Sequence, residues 1–311
     1  MAKCDLHVHS YFSGKTPHVK LLEPMDSYNT PEGIYELAKK RGMDFVTIAD
    51  HDSIDGCLYF LNRFPDCKDF FISEEVTVEI PDVNYPLHVG VYNIDEGIHR
   101  DITHLRKYGF DLLDYLREKE IFFVWNHPLF YLPPNESGYK TFERLLEKFD
   151  LVEVYNGALP DSMNEITEKF FTNIGKKGVC GSDSHSMYNI GMCYVEADGD
   201  CVDDFLKNIR VGNFSIKKSS INFLYVYREA MSIYLGYARD LLWRHKAHLD
   251  WGLFRKIINM VGWSLWLPVF TVGSFIYVLL QFKMFYKNIP FYDKMFGELV
   301  KNREKDLILA K

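Results

Sequence analysis

Near the start of the chain, Asp5-Leu6-His7-Val8-His9-Ser10 sets two histidines one residue apart in an alternating run. Cys4, Leu6 and Val8 alternate with polar residues at period two, the pattern of a half-buried strand. Alternation puts His7 and His9 on one face, within reach of a single ion or substrate. The theme returns five times. Ala49-Asp50-His51-Asp52, Glu74-Glu75, His88, Asn126-His127-Pro128 and Gly181-Ser182-Asp183-Ser184-His185 all lie beside strand-like apolar runs. Mixed imidazole and carboxylate donors in such numbers suit zinc, manganese or iron.

The segments between these clusters set the fold class. Thr30-Pro31-Glu32 is a helix start, with a capping hydroxyl, proline at the first helical position and an acidic first turn; Gly42 is the stop. The run 45–49 is short and apolar, as a buried parallel strand is, and delivers Asp50-His51-Asp52 at its end. Strand-like runs follow at 70–78, 86–92, 121–125, 151–155 and 178–180. Helical patterns lie at 101–119, divided by Gly109, and at 141–148, 163–176 and 203–211. About seven β/α steps fit before Lys218, with polar residues gathered where strands end. In α/β barrels that face carries the chemistry. No Gly-rich phosphate loop or G-x-G-x-x-G is present, which sets aside a nucleotide-cofactor fold.

The six cysteines are scattered and form no C-x-x-C pair, which predicts reduced thiols rather than a disulfide framework or a zinc knuckle. No signal peptide precedes the first strand, so a cytoplasmic protein is expected. The net charge of −7 hides an asymmetry. From Ile216 onward there are 15 Lys/Arg against 7 Asp/Glu, a net of +8, and the first 215 residues carry −15. Residues 1–215 are therefore read as a barrel domain and 216–311 as a helical C-terminal region.

Taken together and in this order, the motifs resemble the polymerase and histidinol phosphatase (PHP) domain, a metal-dependent phosphoesterase module. The likeness covers roughly residues 4–215 and rests on Asp5-Leu6-His7-Val8-His9-Ser10, Pro31-Glu32, the stretch 42–51, Glu75-Val76-Thr77, His88, Asn126-His127-Pro128 and 181–185. It implies a distorted (β/α)7 barrel with two or three divalent ions at its C-terminal mouth. By that analogy His7, His9, Glu75 and Asp183 surround one ion. Glu75 bridges to a second, bound also by His88 and His127, and His51 and His185 serve a third. Gly14 stands where many members have an Asp or His, so the third site depends on a substitute such as His18 or water.

The chemistry agrees. Ions side by side neutralise the oxygens of a phosphate ester and generate hydroxide at neutral pH. The expected function is hydrolysis of a phosphomonoester or a nucleotide phosphodiester, on a phosphorylated small molecule or an oligonucleotide, with Glu75, Asp183 and His185 at the reaction. Asp50 and Asp52 are suited to orienting ligand imidazoles, Asp5 to holding backbone or histidine, and Glu153 either to hydrogen bonding or to ligation. Lys15 is a candidate phosphate contact, and His99 and His104 read as surface residues on a helix. The competing class is a non-catalytic, metal-stabilised, membrane-recruited scaffold, and hydrolysis of a carbon–nitrogen bond stays chemically open.

The tail is a different object. No residue from Ile257 to Phe282 is charged, a run of 26, and Arg255-Lys256 and Lys283 and Lys287 flank it. That length suits a bilayer span, and the aromatic, basic stretch before it suits an anionic membrane surface met through 221–287, peripherally or integrally. The alternative is a helical appendage packed against the barrel or a second subunit.

Overall fold

A computed structural model describes residues 1–14, 25–80, 86–219, 222–243 and 252–309. Lys15 and His18 lie outside them, as do several residues of the stretch proposed for the membrane.

Strand β1 (Ala2–Cys4) leads into the His-x-His segment, and the strands that follow form a six-stranded sheet. Its members, in spatial and chain order, are β2 (Val46–His51), β3 (Phe70–Val78), β4 (Leu87–Tyr92), β5 (Phe122–Trp125), β6 (Leu151–Asn156) and β7 (Lys177–Gly181). The sheet curls until its two ends meet across the His-x-His segment. Ala49 N–H donates to Val8 O at 2.8 Å on the β2 side. On the β7 side Val8 bridges Ser184 in parallel, and His9 N–H donates to Ser184 O at 3.0 Å. Seven extended segments thus close a distorted α/β barrel.

Helices α1 (Pro31–Lys40), α2 (Asp55–Arg63), α3 (Glu96–Leu105), α4 (Gly109–Glu118), α5 (Glu136–Leu146) and α6 (Asp161–Asn173) connect the strands. The Thr30 side chain caps α1 by accepting from Gly33 N–H, with Pro31 at the first position, as the sequence predicts. Gly109 does divide a longer helical pattern, because α3 ends at Leu105 and α4 begins there. Two features depart from simple β/α repetition. Strand β4 runs antiparallel to both β3 and β5, and no described helix precedes it. Second, β1 pairs with β8 (Tyr194–Ala197) and β8 with β9 (Phe214–Lys217) in a separate antiparallel sheet that carries α7 (Val202–Arg210).

One face of the sheet buries Val76, Val89, Trp125, Val152 and Phe142, and a second cluster joins Leu6, Val124, Val179 and Phe205. All six cysteines are free. The C-terminal region forms α8 (Phe223–Trp243) and α9 (Leu253–Leu309). The far end of α9 lies on the barrel, where Tyr292, Met295, Phe296 and Leu299 belong to the main core cluster. Phe296 stacks on Phe170 with ring centroids 4.0 Å apart. No described helix is long and apolar enough to cross a membrane.

Candidate metal centre

The predicted ligands gather at one mouth of the barrel, most of them at or just beyond strand ends and Glu75 from within β3. His7 and His9 point the same way because Val8, between them, faces the core. His51 is the last residue of β2, and Glu75 sits opposite it in the β2–β3 register. The pleat separates the two neighbouring glutamates. Glu75 faces the histidines, while Glu74 takes His99 Nδ1 at 2.9 Å on the other side, so His99 is half-buried rather than free at the surface. His88 opens β4, whose reversed direction brings its first residues to the mouth. His127 follows β5 and Asp183 follows β7, both with left-handed backbone (φ of 26° and 47°), a conformation unusual for such residues and typical of functional sites.

Glu75 is the hub. Its Oε1 lies 3.0 Å from His127 Nε2 and 3.3 Å from both His7 Nε2 and His88 Nδ1. Its Oε2 lies 3.0 Å from His51 Nδ1 and 3.6 Å from His9 Nε2. Asp183 Oδ1 lies 3.2 Å from His9 Nε2 and 3.5 Å from His7 Nε2. Four overlapping donor sets result: His7/His9/Glu75, His7/His127/Asp183, His51/Glu75/His88 and His9/Asp26/His51/His185. The grouping differs in detail from the analogy, since His88 falls with His51, and His127 with His7 and Asp183.

Asp26 is the residue that sequence reasoning missed. Gly14 makes a turn at φ 82°, and its carbonyl accepts from Asp26 N–H at 2.9 Å. The carboxylate absent at position 14 is supplied twelve residues on, with Asp26 Oδ2 2.9 Å from His185 Nε2 and 3.6 Å from His51 Nε2. The nearest signal was the polar run Asp26-Ser27-Tyr28-Asn29 before the α1 cap. Ser27 and Asn29 both donate to His9 O, which ties this loop to the centre.

The donor set fits divalent ions on a structural observation. His7 Nε2, His9 Nε2, His51 Nδ1, His88 Nδ1, Glu75 Oε2 and Asp26 Oδ2 are buried and face one another at ion-pair distances without a well-aligned hydrogen bond. Leaving one such atom unsatisfied costs about 1–3 kcal/mol. Six of them converge on one mouth, a donor set that divalent ions would satisfy. The electrostatics say the same. Burial works to raise the Glu75 carboxyl, but the imidazoles of His7, His88 and His51 hold it well below the usual carboxylate range. Asp183 is depressed in the same way against its burial, by His7, His9 and His185. Burial, with the neighbouring imidazoles, pushes His9 down to about 3, so this ligand is neutral. Burial also works to lower His51, yet the carboxylates of Glu75 and Asp26 raise it to about 9. These carboxylates attract positive charge into the mouth.

Behind the ligands, Glu153 is a hydrogen-bonding carboxylate. It takes His7 Nδ1–H at 2.9 Å through Oε1 and His127 N–H at 2.9 Å through Oε2. That fixes the His7 tautomer with Nε2 toward the centre. Glu153→Gln is therefore expected to weaken divalent-ion affinity about 10–100-fold, as a titration with a fluorescent chelator competitor would report. Unchanged affinity would remove Glu153 from this role. Asp5 holds backbone, accepting from Ser182 N–H at 2.9 Å and Gly191 N–H at 2.7 Å. Asp50 orients His9 only through Ser13: the serine hydroxyl donates to Asp50 at 2.9 Å and lies 3.0 Å from His9 Nδ1. Asp52 corrects the expectation. Its left-handed backbone turns it away from the imidazoles, and it accepts from Thr77 N–H at 2.7 Å and pairs with Arg106.

A family model described as PHP-associated matches residues 162–214, which run from α6 through the Asp183/His185 loop to the start of β9. Over that stretch this chain is similar to PHP-associated sequences. A protein of Methanocaldococcus jannaschii, itself uncharacterised, is 44% identical over 54 residues, which is 17% of this chain and 31% of that relative's length. Among solved structures, PsfC from Pseudomonas syringae shares 16% identity, covering 76% of this chain and 97% of its own, at a TM-score of 0.47. An amidohydrolase from Chromobacterium violaceum with bound sulfate and no metal shares 14% (68% and 97% covered, TM-score 0.46). A protein of Bifidobacterium adolescentis assigned as a metal-dependent phosphoesterase shares 15% (67% and 93%, TM-score 0.39). At TM-scores below 0.5 these likenesses add nothing to what the site shows. The PHP-associated match and the donor clusters coincide at this mouth, because residues 162–214 include Asp183 and His185.

Beside this centre opens a cleft of about 780 Å³, walled in part by Tyr11, Tyr59, Arg63, His185, Tyr188 and Arg239. Tyr131, from the loop after β5, stands against the other flank with its ring 5.1 Å from that of His88.

Proposed function

We propose that this chain hydrolyses a phosphomonoester or a nucleotide phosphodiester with two or three divalent ions, zinc, manganese or iron, held by His7, His9, Asp26, His51, Glu75, His88, His127, Asp183 and His185. The observation that carries this is the sharing of Glu75 and His51 between adjacent donor sets, the arrangement that holds ions side by side. Bound there, such ions supply Lewis acidity and a water of lowered pKa. The chain's own residues do the rest. Glu75 and Asp183 keep the centre anionic and Glu153 holds His7 in one tautomer. His185 lies both in the fourth donor set and on the cleft wall, so it joins the ion-holding residues to the cleft that would take the substrate. Rings of Tyr11 and Tyr59 flanking Arg63 suit the organic part of a phosphate ester.

The test is turnover of generic phosphomonoester and phosphodiester substrates by protein stripped with chelator and reloaded, beside Asp183→Asn. Metal-dependent turnover absent from the variant supports the proposal. Turnover only of amides or lactams by the loaded protein would move the reading to carbon–nitrogen hydrolysis, and none at all would favour a scaffold. That scaffold reading draws on the gap at Gly14, which Asp26 fills.

We also infer that α9 rests on an anionic membrane surface between Leu253 and Lys287. Phe254, Ile258, Leu265, Val272, Leu280 and Tyr286 are all exposed there, and Arg255, Lys256, Lys283 and Lys287 flank the uncharged run. A large exposed apolar face with cationic ends is the chemistry of interfacial helices. Co-sedimentation with phosphatidylserine vesicles is expected, and much less with phosphatidylcholine. A dimer in solution that no vesicle dissociates would instead assign the face to a second copy.

A further inference from the structure

The fourth donor set differs from the others in how it is built. His9 and His51 come from the barrel wall, but Asp26 and His185 stand on loops. Helix α8, from the tail, grips both loops. Glu229 accepts from His185 N–H at 2.6 Å through Oε1. Through Oε2 it accepts from Ser186 Oγ at 2.7 Å and from Asn189 Nδ2, so one carboxylate ties down the loop from 185 to 189. Two turns further along, Gly236 lies against Tyr28. A Cβ at that glycine would meet the Tyr28 ring atoms Cγ and Cδ2 at 2.7 Å, closer than any side chain tolerates. The Tyr28 hydroxyl in turn accepts from Met25 N–H at 3.0 Å, next to Asp26. Two separate contacts of one helix thus end on the two loop-borne ligands.

We propose that α8 assembles the fourth ion site, so that the ion held by His9, Asp26, His51 and His185 depends on the C-terminal region through Glu229 and Gly236. Neither residue touches substrate or ion; both are positioning residues. A site whose ligands are fixed only by packing from outside loses affinity when that support is loosened. The other donor sets hang mainly on the strands and on Glu153, where α8 makes only apolar contact through Tyr225 and Val226. The inference rests on the metal-dependent reading above.

The experiment is metal content per full-length chain, by mass spectrometry after manganese or zinc loading and stepwise chelation, with unfolding measured in parallel. Wild-type protein is expected to release its ions in at least two steps. In Glu229→Ala and in Gly236→Ala the weakest-held ion is expected to go about 10–100-fold more readily while the others stay. Glu229→Gln keeps an oxygen for His185 N–H and should fall between. Variants that match wild type in every release step overturn the inference alone. Variants that lose all ions together with their fold also overturn it, since α8 would then be a general stabiliser. A wild-type chain that binds no divalent ion would sink the hydrolase reading itself.

Discussion

Glu75→Gln should leave a folded protein whose turnover is about a thousandfold lower, a loss of ~4 kcal/mol of transition-state stabilisation. The substitution keeps the volume of a fully buried side chain and its hydrogen bond from Asn126, so the core is not disturbed. What disappears is the one negative charge that five imidazoles share. His7, His9, His51, His88 and His127 all have a ring nitrogen within 3.6 Å of a Glu75 oxygen. Without it, the two donor sets that share Glu75 would lose their common carboxylate, and the loss would fall on affinity and rate together. Metal content and kcat measured on one preparation check this. A variant within tenfold of wild type would show that Asp183 and Asp26 suffice, and that Glu75 is not the hub.

Phe296→Ala is expected to destabilise the whole molecule by about 3–5 kcal/mol, the cost of truncating a buried aromatic side chain. Phe296 is 4% exposed, stacks on Phe170, and lies 5.4 Å from the Phe142 ring. Close by, Tyr292 Oη donates to Leu132 O at 2.7 Å. These contacts seat the end of α9 on α5 and α6, so the penalty appears in the unfolding of the barrel, not in fraying of a tail. Denaturant unfolding followed by tryptophan fluorescence reads it through Trp125, which packs against Phe142. Leu280→Ala, at an exposed position on the same helix, should stay within about 0.5 kcal/mol. A loss under 1 kcal/mol for Phe296→Ala would mean that α9 only leans on the barrel.

Ligands on strand ends were legible because strand periodicity and ligand chemistry coincide there. His7, His9, His51, Glu75, His88, His127, Asp183 and His185 were all singled out from these clusters and the family resemblance, and the structure brings them to one mouth. The choice of Glu75 over Glu74 came from the family resemblance, through the Val76-Thr77 that follows it, and in the structure Glu75 faces the histidines while Glu74 meets His99. Asp26 and Glu229 were not legible, for different reasons. Asp26 sits in a loop with no period to say where it points, and only the Gly14 turn brings it inward. Glu229 lies in a stretch whose aromatic and basic character drew attention to its surface, while its carboxylate faces the barrel. The reversal of β4 was also hidden. An apolar strand reads the same in either direction, and what reverses it is the short return from β3, seen only in the register that sets Val78 beside Leu87. Composition divides the chain near residue 216, and the contacts of α8 and α9 cross that division.

The seam of the barrel has a consequence for how the protein comes to be folded. His7 and Ser182 bond across 175 residues of chain, and Ser182 also bonds Asp5, so the wall cannot close until nearly the whole barrel exists. Long-range closure of this kind is slow, because chain entropy is lost before contacts compensate. Glu75 and His88, by contrast, come together in a local hairpin. An ion captured early by that hairpin and His51 would wait with open coordination positions for His7, His9 and Asp183. Divalent metal should therefore speed refolding at its last step, as a stitch drawn through both edges of the seam.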